Sequence, residues 1–414
     1  MLDQRISNAK EVLSHLVSQV SGFAEGVQRI HSIAELLETQ SDEVRYTLKQ
    51  ALDFMLLSME SREASDLEFG GAGTNGQVWY RIYGRKKPIP ELGTYTPDEA
   101  DILLLNITTS VQREELAEHQ QLHFSYQIQI PTGHARFRAT LYPEMNHLAL
   151  SMRRINTEIR PFRSLGLHKN VARLMSLEFE KRGLILITGI SGSGKSTTLD
   201  TIIDANNQTS HGHIVVIADP LEHLHISKKC IIRQREVGKD VRSFRDGVVQ
   251  ALRQDPDIIV IGEMRDSETF AAVLEAADTG HKVFATLHTS SAVESIDRIL
   301  GETPPMEQDR IRERLAALLS CVISQKLVPT LDNKLVLAKE VMVTNGAIRS
   351  AIRSNNIDEI YQIIQQSNQE GMITMEQDLV RLVQNRVVSY NEALNHANNK
   401  KRFEELMQYH RAVV

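Results

Sequence analysis

Apolar positions in the first forty residues recur every seven. Leu2, Ala9, Leu16, Phe23, Ile30 and Leu37 form one series, and Ile6, Leu13, Val20, Val27 and Ala34 interleave with it. The spacing predicts one amphipathic helix over 1–40, serving as a coiled-coil seam, as a helix docked on a partner, or as one packed on its own domain. Gly22 and Gly26 weaken it by about 1 kcal/mol each relative to alanine. Ser41-Asp42 opens a second helix whose apolar face is Leu48, Leu52, Met55 and Met59. After Ser65-Asp66-Leu67 the pattern changes. Val78–Tyr83 reads as a strand, preceded by a turn rich in Gly70, Gly71, Gly73 and Gly76. Thr96-Pro97-Asp98-Glu99 starts a helix, with Thr96 as N-cap, Pro97 at the first position and Glu99 closing a capping box. His123–Ile130, Arg136–Tyr142 and Leu148–Ile155 alternate as strands do, the first two joined by Pro131-Thr132-Gly133. Residues 41–157 are therefore predicted to form a small α+β domain. Asn156 to Leu165, which contains Pro161, reads as a hinge, with 158–165 as the linker proper.

From Gly166 to about 345, near-continuous apolar runs alternate with helical stretches. They are LILIT (184–188), IVVIA (214–218), IIVIG (258–262), VFATL (283–287) and KLVLAKEVM (334–342). Such runs predict an α/β fold with a parallel sheet covered on both faces. Residues 346–414 read as a helical, polar tail with a charged segment at Asn399-Lys400-Lys401-Arg402.

Composition narrows the class. With 414 residues the chain has room for two or three cores, and 41% hydrophobic and 24% charged residues are ordinary for a globular protein. A formal charge of −6 gives no global reason to expect nucleic acid or an anionic membrane as partner. No apolar run is long enough to span a bilayer, and MLDQRISNAKEV has no secretory h-region. Cys230 and Cys321 have no metal-site spacing around them, so reduced thiols and a cytoplasmic location are expected.

The stretch GISGSGKST, Gly189 to Thr197, carries the sharpest chemistry. It stands between an apolar strand and a helical run, the context that a phosphate-binding loop requires. Gly189, Gly192 and Gly194 free the backbone so that N–H groups, including those of Ser191, Ser193 and Thr197, turn toward an anion at a helix N-terminus. Lys195 is expected to reach the β- and γ-phosphates and Ser196 to ligate Mg²⁺. A chance match to this pattern in a chain of this length is roughly a one-in-a-hundred event, so a nucleoside triphosphate is the expected ligand.

Such a loop needs acids for the metal and for water. IIVIG is followed by Glu263, at the place of a Walker B acid, although Gly262 stands where an aspartate is usual. IVVIA ends in Asp219-Pro220-Leu221-Glu222, two carboxylates leaving a strand end at a proline-fixed turn. His281 and His288 flank VFATL. HGH (211–213) and HLH (223–225) lack the spacing of a metal site.

GISGSGKSTT (189–198), the Asp219–Glu222 turn, residues 235–266 and TGHKVFATLHT (279–289) resemble, in order, the Walker A, Asp box, Walker B and His box of the secretion-superfamily ATPases. AIRSAIRS (347–354) is similar to the AIRNLIRE motif of the type IV pilus retraction (PilT, twitching-motility) branch, and GMITMEQDL (371–379) matches its tail. The resemblance runs from about residue 41 to the C-terminus. It implies a RecA-like P-loop core with a parallel-rich sheet (166–345), a small PAS-like α+β domain before it (41–157) and a helical C-terminal region (346–414). It further implies a Mg²⁺-dependent, hexameric ATPase at the cytoplasmic face of the inner membrane that powers pilus retraction. Its partners would be a membrane-embedded platform protein and a paralogous retraction ATPase, with no nucleic acid.

Residue by residue, the resemblance assigns Glu222 to polarising the attacking water and Glu263 to acting on Mg²⁺. His281 and His288 are assigned to coupling nucleotide state to a subunit interface. Arg136, Arg138, Arg153 and Arg154 lie in the region from which the family sends arginines to the phosphates, and a guanidinium suits the charge on a transferred phosphoryl group. The chain departs from the family at Ala218, where a glutamate is usual, at Ile190-Ser191, and in its forty-residue N-terminal segment. An accessory paralogue with weak ATPase activity and a related secretion or conjugation ATPase are the alternatives. The absence of a tetracysteine zinc module argues against an extension or type II enzyme.

Overall fold

The computed structural model describes residues 3–20, 24–130, 133–155, 159–332 and 334–413. The chain divides into two compact units, Met1–Thr157 and Glu158–Val414. The expected seam positions Leu2 and Phe23, Gly22, the Pro131-Thr132 turn and the beginning of the hinge at 156–158 lie outside the described residues.

The first unit runs α1 (Gln4–Val17), α2 (Gly26–Glu38), α3 (Asp42–Ser61), β1 (Ala64–Gly70), β2 (Trp79–Ile82), β3 (Arg85–Pro88), α4 (Pro97–Asn106), α5 (Ser110–His119), β4 (Leu122–Ile130), β5 (Gly133–Glu144) and β6 (His147–Ile155). Its strands form an antiparallel sheet in the order β3-β2-β1-β6-β5-β4. Both capping signals act as read: the Ser41 hydroxyl accepts from Val44 N–H, and Thr96 and Glu99 close a capping box around α4. Strands β1 and β3 and helix α5 went unpredicted. β1 mixes acids with apolar residues and β3 is RKKP, an exposed run whose pairing among the described residues comes from β2.

The expectation of one helix over 1–40 is corrected. Two helices form, and α2 starts at Gly26, whose φ of +53° is a left-handed conformation that strains any other residue. The break shifts the pattern: in α2, Ile33 turns inward while the heptad position Val27 is 38% exposed. Both helices pack on their own unit. Ile6, Leu13, Leu16, Ile30 and Leu37 share one core with Leu48, Leu52, Phe69, Tyr80, Phe137 and Leu150. Buried Arg29 pairs with Asp101 on α4 (2.9 Å) and with Asp98, and Lys10 reaches Glu99 (2.7 Å). Leu13→Ala should therefore cost the first unit about 2–5 kcal/mol, as core truncations do. Chemical denaturation checks this, and a cost below about 0.5 kcal/mol would mean that α1 is only a loosely attached arm.

The second unit runs α6 (Lys169–Met175), β7 (Gly183–Thr188), α7 (Lys195–Thr209), β8 (Gly212–Ala218), β9 (Cys230–Glu236), α8 (Phe244–Ala251), β10 (Ile258–Ile261), α9 (Ser267–Asp278), β11 (Lys282–Leu287), α10 (Ala292–Gly301), α11 (Gln308–Leu318), β12 (Leu319–Pro329), β13 (Leu335–Val343), α12 (Gly346–Arg353), α13 (Asp358–Gln366), α14 (Met375–Gln384), α15 (Tyr390–His396) and α16 (Lys400–Val413). The sheet order is β13-β12-β7-β11-β10-β8-β9. All neighbouring pairs are parallel except β12 with β13. The five expected strands form, and two more join them. β9 covers an edge, and β12 inserts beside the loop-bearing strand β7. Their polar residues (Arg233, Gln234 and Arg235; Ser324, Gln325 and Lys326) interrupt the apolar runs that marked the others. One apolar layer lies on each face of the sheet.

The C-terminal region is helical as expected but not uniformly polar. Met375, Leu379, Leu382, Val388, Ala393 and Phe403 bury a face against Val328 of β12 and Ala338 of β13. Cys230 and Cys321 are buried free thiols. Among the described residues no helix is long and apolar enough to cross a membrane.

Candidate functional site

The parallel strands β7, β8, β10 and β11 run in one direction, so their carboxyl ends meet at one edge of the sheet, where open α/β sheets bind ligands. The Gly189–Gly194 loop leaves β7, the Asp219–Glu222 turn leaves β8, Glu263 follows β10 and His288 follows β11. Side chains that lie far apart in the chain are gathered there because every strand is buried and in register.

The loop has the predicted backbone. Gly189, Gly192 and Gly194 adopt φ values of +151°, +79° and +88°. A Cβ on Gly189 would come within 2.3 Å of Ser193 Oγ and 2.6 Å of the Gln325 carbonyl, so the turn closes only with glycine there. α7 begins at Lys195 with Gly194 as N-cap and no capping side chain, which leaves the first N–H groups directed at the loop. The Lys195 ammonium donates to the carbonyls of Gly189 (2.8 Å) and Ile190 (3.1 Å), folded across the loop. Burial lowers its pKa, while the carboxylates of Glu263 and Glu222 pull it back up. Both predicted acids thus act electrostatically on the predicted lysine.

Glu263 is held by a guanidinium and an imidazole. Arg265 donates to one carboxylate oxygen (2.7 Å), and His288 Nε2 lies 3.0 Å from the other. Burial alone would raise the Glu263 pKa, but Arg265, His288 and Lys195 together hold it below the usual range, and the group is ionised at neutral pH. Burial and Lys195 hold the His288 imidazole down in turn, against the pull of Glu263. The two departures from the expected acids lie against each other. A Cβ on Gly262 would sit 3.1 Å from Ala218 Cα and 3.2 Å from its Cβ, so the ends of β8 and β10 approach too closely for an acid at 262 without displacement.

His281 is not part of this cluster. It precedes β11 and His288 follows it, so the two lie at opposite ends of the strand, roughly 20 Å apart. The His281 ring is engaged locally with Thr279 and the Ala276 carbonyl. The four arginines lie in the first unit. On paired strands, Arg138 faces Arg153 on the sheet face away from the helices, while Arg154 faces Phe137 on the helix side. Arg153 is held by Asp66 (2.8 Å) and Arg154 by Glu60 (3.1 Å). Arg136 is buried and Arg138 exposed.

Several supporting residues were not legible beforehand. Gln325 on β12 donates to Thr198 on α7 (2.8 Å), and Ser324 accepts from Thr188 (2.9 Å), clamping strand to helix under the loop. Glu236 accepts from Leu221 N–H (3.3 Å) and steadies the Asp219–Glu222 turn. His225, 7% exposed, meets Asp200 of α7 at 2.9 Å. Arg265 was the most readable of these, two residues beyond Glu263.

The loop carrying His288 is braced from behind. Ser290 O accepts from Asn398 (3.1 Å), and Ala292 N–H donates to Glu340 on β13 (2.8 Å). Burial, reinforced by the nearby Glu376 carboxylate, pushes the Glu340 carboxyl up to about 7. A carboxyl whose folded pKa is raised contributes stability that is full below about pH 4.5 and lost as pH rises through 7. Between pH 5 and 8 this costs about 2 kcal/mol. Glu340→Gln should flatten that slope, measured as the variant-minus-parent difference in unfolding free energy, and parallel profiles would refute the assignment.

Two hard oxygen donors, the Ser196 hydroxyl in the first turn of α7 and the Glu263 carboxylate, suit Mg²⁺. The hydroxyl of Ser193, 3% exposed, has no hydrogen-bond partner in the loop, as expected where an anion is to be received.

A family model described as type II/IV secretion system protein matches residues 43–408. The chain is 38% identical over 301 residues to the type IV pilus retraction ATPase PilT of Pseudomonas aeruginosa, covering 73% of this chain and 86% of that one. It is 33% identical over 346 residues to the type IV pilus ATPase PilU of the same organism, covering 83% and 88%. A crystal structure of the pilus retraction motor PilT with bound ADP superposes with a TM-score of 0.77 at 36% identity, covering 85% of this chain and 98% of that one. The phosphate loop, the acids at the strand ends and this similarity over most of the chain establish that the protein belongs to the type II/IV secretion system protein family and is a nucleotide-binding P-loop ATPase.

Proposed function

We propose that this ATPase is a hexameric motor that powers type IV pilus retraction from the cytoplasmic face of the inner membrane. The observation that carries the reading is the convergence of Lys195, Glu263, His288 and the Glu222 turn at one sheet edge, in a chain similar to a retraction ATPase over most of its length. Lys195, Ser191, Ser193, Ser196, Thr197 and the loop amides bind the triphosphate. Ser196 and Glu263 hold Mg²⁺, which when bound neutralises charge on the phosphates. Glu222 orients the attacking water, and Glu263, kept ionised by its cationic neighbours, fixes the position of His288.

The site is rich in acids and carries one lysine at the phosphates. Arg136, Arg138, Arg153 and Arg154 are the source for further positive charge, supplied from a neighbouring subunit as the hexamer closes. The ring transmits that closure to an inner-membrane platform protein.

A second reading, an accessory ATPase acting beside a more active paralogue, is favoured by Ala218, which removes one carboxylate from the turn. The alignment with PilU also covers more of this chain than that with PilT. Steady-state ATPase activity of the purified protein against Glu222→Ala separates the two: a motor loses at least tenfold in kcat, whereas an accessory protein starts no faster than the variant. Deleting the gene and counting surface pili tests the direction of movement, since loss of retraction leaves excess pili and loss of extension leaves none.

A further inference from the structure

A cavity of 540 Å³ lies within the second unit, between β13, the start of α6 and α14. Lys339 projects into it. This side chain belongs to a residue only 6% exposed, yet its ammonium makes no hydrogen bond or ion pair with any described residue. The nearest acid is already engaged: Asp378 accepts from Lys339 backbone N–H (3.0 Å) and from Arg381 (2.7 Å). Above the ammonium stands Gly166, whose φ of +56° and missing side chain leave the space open; a Cβ there would lie 3.4 Å from Nζ. Arg381 and His168 add polar groups to the wall, while Val341, Met372 and Val380 make the rest of it apolar.

The ammonium thus faces the cavity rather than a protein acceptor, and a charge so placed on a largely buried side chain is favoured where a ligand supplies its partner. The volume is that of sites for small organic ligands. We propose that this cavity binds a small organic anion, a phosphate or carboxylate carried on an apolar or aromatic body, with Lys339 and Arg381 holding the charge and Val341, Met372 and Val380 the body. It is separate from the phosphate loop. β13 stands two strands from β7, roughly 10 Å across the sheet, and the loop has its own lysine. Occupancy joins the C-terminal helix α14 to the segment that precedes α6, so the ligand acts as a regulator of the ATPase rather than as its substrate.

The test uses the full chain with its phosphate loop saturated by a non-hydrolysable ATP analogue. Anilinonaphthalene sulfonate, an aromatic body with one anionic group, is titrated by fluorescence, and inorganic phosphate serves as competitor. The expected result is one saturable site per chain that phosphate displaces and that Lys339→Met weakens at least tenfold, the size of a lost charge-assisted contact. Gln384→Trp, an exposed position at the cavity mouth, should weaken it similarly and serves where Lys339→Met fails to fold. Equal affinity in the parent and these variants overturns the proposal. So does a probe that binds only when the analogue is left out, which would make the cavity an extension of the nucleotide site.

Discussion

Lys195→Ala is expected to weaken nucleotide binding at least a hundredfold and to leave the fold intact. The ammonium is the cation positioned inside the loop, and its present partners are only the carbonyls of Gly189 and Ile190. Those two contacts are worth about 1–2 kcal/mol together, so their loss shifts stability little. The phosphates lose a charge-assisted contact in a half-buried site where burial already works against the bare cation. Titration with ADP, in parallel with a melting curve taken without nucleotide, separates the effects. Binding retained within tenfold of the parent would show that the loop does not hold the phosphates.

Glu263→Gln is expected to cut kcat by about 10²–10³ while preserving nucleotide affinity. The amide keeps the volume and removes the charge that holds Arg265 and His288 in place. Free of its anion, Arg265 no longer shields that edge, and the His288 pKa falls further, since Glu263 is the group that raises it. The sign with pH follows. A carboxyl held below its ordinary pKa contributes stability that is full above about pH 4.5 and is lost as pH falls through the lower folded value. The parent should therefore lose this contribution only in acid, and the variant should lack it throughout. Paired pH–rate and pH–stability profiles measure both, and a variant that hydrolyses ATP at the parent rate excludes Glu263 from the chemistry.

The sheet edge explains which residues could be named from a single chain. Strand β10 and the acid after it are contiguous, so IIVIG and Glu263 announce each other, and the same holds for β7 and its loop. Gln325 and Ser324 could not be found that way. They clamp the loop from β12, a strand whose polar residues suit the helix and strand they meet rather than the alternation that marks a strand. Lys282 illustrates the same limit. It begins β11 inside a motif otherwise read for its histidines, yet it is wholly buried and donates to the carbonyls of Leu174 (2.6 Å) and Glu180 (2.8 Å), tying the sheet to the segment around α6.

Local physics was enough wherever the signal and its cause lie within a few residues. The glycines of the loop, the capping box at Thr96, the apolar strands and the acids at their ends depend on backbone freedom, terminal hydrogen bonds and burial that the sequence itself specifies. The tertiary structure decided what depends on long-range partners. It separated His281 from His288, because a strand's two ends are far apart however close they stand in a motif. It set Ala218 against Gly262, where strand spacing limits side-chain size. It broke the heptad at Gly26 and turned α1 and α2 onto their own unit, because an apolar stripe specifies that a surface must be covered but not by what.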